Sequence, residues 1–139
     1  LSLTLLTIGS FDVPHMGHAS FLRRCEVFAD REHIMVGVNS DAFVERYKGE
    51  PPVFTQDERM SLISELGYRV RVNDGPGRVL IEDAGPDIIA IGTDWAKRDY
   101  HAQIDTPVEY FEEHSIAMLY IPYTPGISTT DLKARFLRA

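Results

Sequence analysis

Two hydrophobic periods alternate along the chain. Leu3 to Ile8 is a short apolar run closed by Gly9, and after a polar loop Phe21, Leu22, Cys25 and Phe28 recur at helical spacing. This predicts strand, loop, helix. His33 to Val38 is a second β-rich run, Asp41 is placed to cap a short helix reaching Tyr47, and the KGEPP stretch that follows breaks it. Thr55 opens another helix, with Glu58 completing a capping box and Met60, Leu62, Ile63 and Leu66 as its apolar positions. Tyr68 to Val72, Ile88 to Ile91 and Ala117 to Ile121 read as further strands, with helices near Arg78 to Ala84, Pro107 to His114 and Thr129 to Leu137.

Five strands alternating with helices predict an α/β fold, a doubly wound five-stranded parallel sheet with helices on both faces. Gly and Pro clusters at 49–52, 75–77 and 122–126 fall between elements, and no repeat, low-complexity tract or linker interrupts the pattern. Residues 1–139 therefore read as a single domain. A chain of 139 residues, 44% hydrophobic and 25% charged, has the size and balance to bury a core.

Charge narrows the partners. A formal net charge of −7 argues against a general nucleic-acid binder, which needs a surplus of Lys and Arg against the phosphates. An anionic substrate then requires cations gathered locally or supplied as a metal. The single Cys25 has no partner for an internal disulfide and lies in a helical pattern, which points to an inert buried thiol and fits a reducing, cytoplasmic setting. No apolar run reaches membrane-span length, and LSLTLLTIGS is too short, and lacks the basic start, for a signal peptide; it reads as a first core strand.

In doubly wound sheets ligands bind beyond the carboxyl ends of the strands, and the unusual residues gather there: GSFDVPHMGH after the first strand, GTDW after the fourth, PYTPGISTT after the fifth. Gly9 permits close backbone approach, and Gly17 stands where a helix begins between His15 and His18. Three residues apart at a helix start, the two imidazoles can point the same way and join the free N–H groups and positive macrodipole end in binding one anion. Zinc is disfavoured, because Cys25 belongs to a helix core and His33 begins a strand, leaving no third and fourth ligand with supporting spacing.

TIGSFDVPHMGH resembles the (T/S)xGxFDxxHxGH signature of the cytidylyltransferase-like nucleotidyltransferase superfamily, closest in appearance to the glycerol-3-phosphate cytidylyltransferases. VGVNSDAF, DERMSLI, IGTDW and GISTTDLK follow in the same order, so the resemblance covers nearly the whole chain. It implies a Rossmann-like fold and direct in-line attack of a substrate phosphate on a nucleotide α-phosphorus, with no covalent intermediate. His15 and His18 would stabilise the transition state, because charge builds on the phosphoryl oxygens and fixed donors there lower the barrier. The loop residue Lys48 would reach the phosphates; by itself it is a solvated surface lysine. Arg59 matches a family arginine; by itself it reads as an ion-pair partner of Asp57 or Glu58.

The nucleotide site implied by the resemblance comprises Gly9, Ser10, Phe11, Asp12, Gly17, Arg59, Gly92, Asp94, Trp95, Thr124, Gly126, Ile127, Ser128 and Thr129. Trp95 either meets the nucleotide or packs beneath its loop. Ser128 and Asp131 also make a plain helix-capping pair. The resemblance also implies CTP rather than ATP as donor, glycerol 3-phosphate or a related compound as acceptor, Mg²⁺ bridging the triphosphate, and a homodimer. One departure stands out: where the cytidylyltransferase pattern reads RTEG this chain has Tyr123, Thr124, Pro125 and Gly126, so the family's phosphate-binding arginine is missing, with Lys97, Arg98 and Lys133 as candidate substitutes. Two other readings stay open. One is an adenylyltransferase of the same fold acting on a sugar phosphate, phosphopantetheine or flavin mononucleotide; the other is a nucleotide-binding regulatory module without turnover.

Overall fold

A computed structural model describes residues 3–12, 16–93 and 98–122. The elements run β1 (Leu5–Gly9), α1 (Met16–Cys25), a 3-10 turn (Arg31–His33), β2 (Ile34–Asn39), α2 (Asp41–Lys48), α3 (Gln56–Glu65), β3 (Arg69–Asn73), α4 (Arg78–Ala84), β4 (Ile88–Gly92), α5 (Tyr100–Gln103), α6 (Val108–Glu113) and β5 (Ala117–Ile121). The sheet order is β3-β2-β1-β4-β5 and every pairing is parallel. The predicted doubly wound sheet is the one observed, and its order reverses between β1 and β4.

Alternation along the central strands sorts the core into two faces, because successive strand residues point to opposite sides. Leu5, Val36, Val38, Ile88 and Ala90 pack with Phe21, Leu22 and Cys25 of α1 and Ile63 of α3. Leu6, Ile8, Met35, Ile89 and Ile91 pack on the other side with Leu80 and Ile81 of α4, Tyr100 of α5 and Phe111 of α6. Strands buried on both faces read as unbroken apolar runs, which is why β1, β2 and β4 are the clearest elements in the sequence. Gly37 of β2 is needed for this packing, since a Cβ there would lie 2.6 Å from Leu80 Cδ1. Burial in the first face pushes the Cys25 thiol up to about 12, which keeps it protonated and inert.

The boundaries differ from expectation in instructive ways. β1 begins at Leu5 and includes Gly9, while Leu3 is exposed. The 3-10 turn takes up His33, so β2 starts one residue later. Helix α1 ends at Cys25, and Phe28, expected on its apolar stripe, is 43% exposed beyond it. Ser40, not Asp41, caps α2: its side chain accepts the Phe43 N–H at 3.1 Å from an extended backbone, and the Asp41 carboxylate turns to Arg59. The Thr55–Glu58 capping box of α3 is present in both directions. Helix α5 is a single turn that periodicity does not signal. The expected helix Thr129–Leu137 lies outside the described residues, and no helix among the described residues is long and apolar enough to cross a membrane.

A polar clamp joins the end of α1 to the start of β3. Glu26 accepts from Arg31 Nε at 3.1 Å and from the Tyr68 hydroxyl at 2.6 Å, and the guanidinium also lies 5.1 Å from the Tyr68 ring centroid. The Arg31 guanidinium, then the Tyr68 hydroxyl, hold the Glu26 carboxyl below the ordinary carboxylate range. A lowered carboxylate pKa contributes stability above the ordinary value, lost as pH falls through the lowered one. Glu26→Gln is therefore expected to cost up to about 1 kcal/mol at pH 7, as befits a solvent-exposed pair. Urea unfolding across pH 7 to pH 3 should show the two proteins converging on the acid side.

Candidate active site

The site originates in the sheet itself. β1 and β2, β2 and β3, and β4 and β5 are each matched over five residue pairs, but β1 and β4 are matched only at Leu5–Ile88 and Leu6–Ile89. Beyond Leu6 the two strands part, and a cleft of about 460 Å³ opens at their carboxyl ends, with Thr7, Ile8 and Gly9 on one side and Ile91 and Gly92 on the other. Near the opening, the Tyr100 hydroxyl donates to the Ile8 carbonyl at 2.9 Å. Such a crevice, at the point of reversal in a doubly wound sheet, is where this architecture binds ligands.

The turn after β1 is held in an uncommon conformation. Phe11 sits at φ +50°, and its ring would be 3.3 Å from a Cβ on Gly9, so the glycine makes room for the ring to fold back. That ring meets His18 edge-on with centroids 5.4 Å apart. Gly17 and His18 stand in the first turn of α1, both buried, and His18 lines the cleft. Asp12, 2% exposed, accepts the N–H groups of Val53 at 2.9 Å and Phe54 at 3.0 Å and so ties the turn to the segment leading into α3.

Arg59 fixes the same turn from below. It is wholly buried, donating through Nε to Phe54 O at 3.0 Å, through Nη1 to Ser10 O at 2.6 Å and Asn39 O at 2.8 Å, and through Nη2 to Asp41 at 2.8 Å. It does not line the cleft. Neither a surface ion pair with Asp57 or Glu58 nor a nucleotide contact describes this position. A guanidinium whose fork is used by three backbone carbonyls and a carboxylate is a positioning residue, and only arginine offers that many donors in one plane.

The remaining cleft groups come from elements on both sides of the reversal. Ser10 Oγ lies 2.6 Å from the Tyr47 hydroxyl and accepts from Asn39 Nδ2 at 3.3 Å, while Asn39 Oδ1 accepts from Asn73 Nδ2 at 2.9 Å. Lys48 ends α2 just before Gly49, which takes the left-handed φ +81°, and its Nζ lies 5.8 Å from the Tyr47 ring centroid. Arg98 lines the α5 side. Among the described lining residues the cations are thus Lys48, Arg98 and, when protonated, His18, against one carboxylate that already accepts two backbone N–H groups. An acidic chain has concentrated positive charge where an anion would enter.

The profile of the family described as Cytidylyltransferase-like matches residues 6–135. This chain belongs to that family. Like other members it is similar to the bifunctional protein HldE of Photorhabdus laumondii, 33% identical with 92% of this chain and 26% of that protein covered. It is also similar to HldE of Campylobacter concisus, 36% identical with 68% of this chain and 21% of that protein covered. The chain spans about a quarter of the length of these curated relatives. A lipopolysaccharide core biosynthesis protein from Thermoplasma volcanium has a similar structure, with a TM-score of 0.65 and 25% identity over 89% of this chain and 98% of that one.

Of the residues expected from the sequence of this cytidylyltransferase-like domain, Gly9, Ser10, Phe11, Asp12, His18, Lys48 and Gly92 line one cleft, with Gly17 beside His18. His15, Asp94, Trp95, Lys97, Tyr123, Thr124, Gly126, Ile127, Ser128, Thr129 and Lys133 lie outside the described residues. Sequence reading missed Asn39, Phe43, Tyr47, Asn73, Tyr100 and Gln103 as lining residues. A signal existed for two of them, since Asn39 and Asn73 are each the polar residue that closes a β-rich run. Asp30, Glu32 and His33 form a group of possible metal ligands, but they precede β2, at the amino end of the strands and away from the cleft.

Replacing Arg59 by Met leaves the Ser10, Asn39 and Phe54 carbonyls without their donor, at about 1 kcal/mol or more each. We expect Arg59→Met to destabilise the fold by about 3 kcal/mol in urea unfolding. Arg59→Lys should recover only part of this, because an ammonium cannot span the four acceptors.

Proposed function

We propose that this chain transfers a nucleotidyl group from a nucleoside triphosphate to a phosphorylated sugar, releasing pyrophosphate. The observation that carries the reading is the gathering of His18, Lys48 and Arg98 around the turn after β1, in an acidic chain and at the reversal point of the sheet. The sugar class is favoured by the similarity to a lipopolysaccharide core biosynthesis protein. CTP with glycerol 3-phosphate is the second reading, supported by the resemblance of TIGSFDVPHMGH and GISTTDLK to the cytidylyltransferase signatures. Homodimerisation belongs to the same proposal.

In this reading an oxygen of the acceptor phosphate attacks the α-phosphorus in line. The new P–O bond forms as the bond to the β-phosphate oxygen breaks, and pyrophosphate leaves with that electron pair. Negative charge moves onto the nonbridging and leaving oxygens, and His18 with the two cations supplies fixed donors that need not reorganise. The start of α1 adds the positive end of its macrodipole. Among the described residues the cleft's one carboxylate, Asp12, is committed to Val53 and Phe54, which leaves it a poor seat for a protein-held Mg²⁺; an ion here would arrive on the triphosphate.

The test is pyrophosphate release in the presence of Mg²⁺ with CTP, ATP, GTP and UTP offered separately against sugar, polyol and amino-alcohol phosphates. Turnover with a sugar phosphate supports the reading, and the preferred triphosphate names the donor. Turnover with CTP and glycerol 3-phosphate alone replaces it with the second reading, and nucleotide binding without turnover on any acceptor leaves a regulatory module. In an active pair, His18→Ala should lower kcat by about 10²–10³-fold, the range for loss of one oxyanion-stabilising donor, with nucleotide binding retained.

A further inference from the structure

The cleft is chemically divided. From β1, α1, β4 and the segment before α5 its wall takes Gly9, His18, Gly92 and Arg98, which suits phosphates. Towards β2, β3 and α2 it carries Asn39, Asn73, Ser10, Phe43 and Tyr47, all uncharged, with Lys48 at the end of α2. Phosphate recognition calls for Arg, Lys or clustered N–H groups, so apart from Lys48 at its end this second half suits a neutral, hydrogen-bonding group.

Its side chains are ordered before any ligand arrives. Asn39 and Asn73 are 4% and 2% exposed, and the relay from Asn73 through Asn39 and Ser10 to the Tyr47 hydroxyl fixes both amides and the phenol. Phe43 supports the Tyr47 ring edge-on at 5.3 Å, yet Tyr47 as a residue remains 40% exposed. An aromatic surface beside groups able both to donate and to accept matches a sugar, which presents an apolar C–H face and a rim of hydroxyls.

Lys48 Nζ lies 5.8 Å from the centre of the Tyr47 ring. A sugar on that ring can place a phosphate attached directly to it beside Lys48. A nucleobase on the same ring would set a whole ribose between itself and its phosphate, leaving the lysine against neutral atoms. We infer that the β2/β3 half of the cleft is a carbohydrate half-site in which Tyr47 packs against the acceptor's sugar and determines acceptor specificity. This rests on the transferase reading proposed above and names the part of the acceptor that the half-site reads.

Tyr47→Ala and Tyr47→Phe test it, with thermal unfolding as the check that this exposed position leaves the fold intact. In the active donor–acceptor pair, Tyr47→Ala should raise the acceptor KM by about tenfold or more and Tyr47→Phe by about two- to threefold, with the triphosphate KM within about twofold of wild type. A rise confined to the triphosphate KM, or no change in either, overturns the half-site. Calorimetric titration of sugar phosphates, with the triphosphate's nonhydrolysable analogue present and absent, gives a readout independent of turnover. Weaker binding to Tyr47→Ala supports the half-site even where the transferase reading fails; equal binding, or none to wild type at millimolar concentration, overturns it.

Discussion

The site depends on a parting of strands. β1 and β4 pair at Leu5–Ile88 and Leu6–Ile89 and then diverge, because the sheet reverses its winding between them and the connections leaving their carboxyl ends go to opposite faces. Parting exposes backbone that an intact ladder would satisfy, and buried backbone groups need partners. The Tyr100 hydroxyl on Ile8 O and the Ile104 carbonyl accepting Gly77 N–H at 2.7 Å show side chains and loops providing such bonds around the opening. A Cβ on Gly77 would meet Ile104 at 2.9 Å, so the close approach of that loop requires the glycine.

The turn that enters this opening is held from three directions. Arg59 reaches up from α3 to Ser10 O and Asn39 O, Asp12 reaches across to Val53 and Phe54, and Tyr47 meets Ser10 Oγ from α2. These contacts spread the cost of a left-handed Phe11 over several elements, as a strained functional turn requires. They also explain how a buried arginine and a buried aspartate coexist near a cleft without being its ligands: each is consumed by backbone groups. Lys48, Arg98 and His18 are then the described cleft groups that can present positive charge to a phosphate.

Much of the architecture was legible from order and period. β1, β2 and β4 are buried on both faces and show as continuous apolar runs; the α3 capping box was written in Thr55 and Glu58; Gly9 and His18 were placed at the strand ends from the rule that ligands meet there. Less was legible where two local choices compete. Ser40 and Asp41 are both good caps, and the choice fell to Ser40 because Arg59, eighteen residues away, takes the Asp41 carboxylate. Phe28 continues the α1 spacing, but the chain leaves the helix at Cys25 to form the Arg31 and Glu26 clamp.

The sequence by itself determined the number of strands, their order along the chain and the doubly wound class, because burial on a sheet face and helix capping act over a few residues and leave a local record. Only the tertiary structure decided that Arg59 and Asp12 support the site from within, that Asn39, Asn73 and Tyr47 form one relay, and that Lys48 and Arg98 line the same cleft. Those roles depend on which groups meet across 18 to 49 residues of chain, and no local period encodes the partner of a side chain that far away.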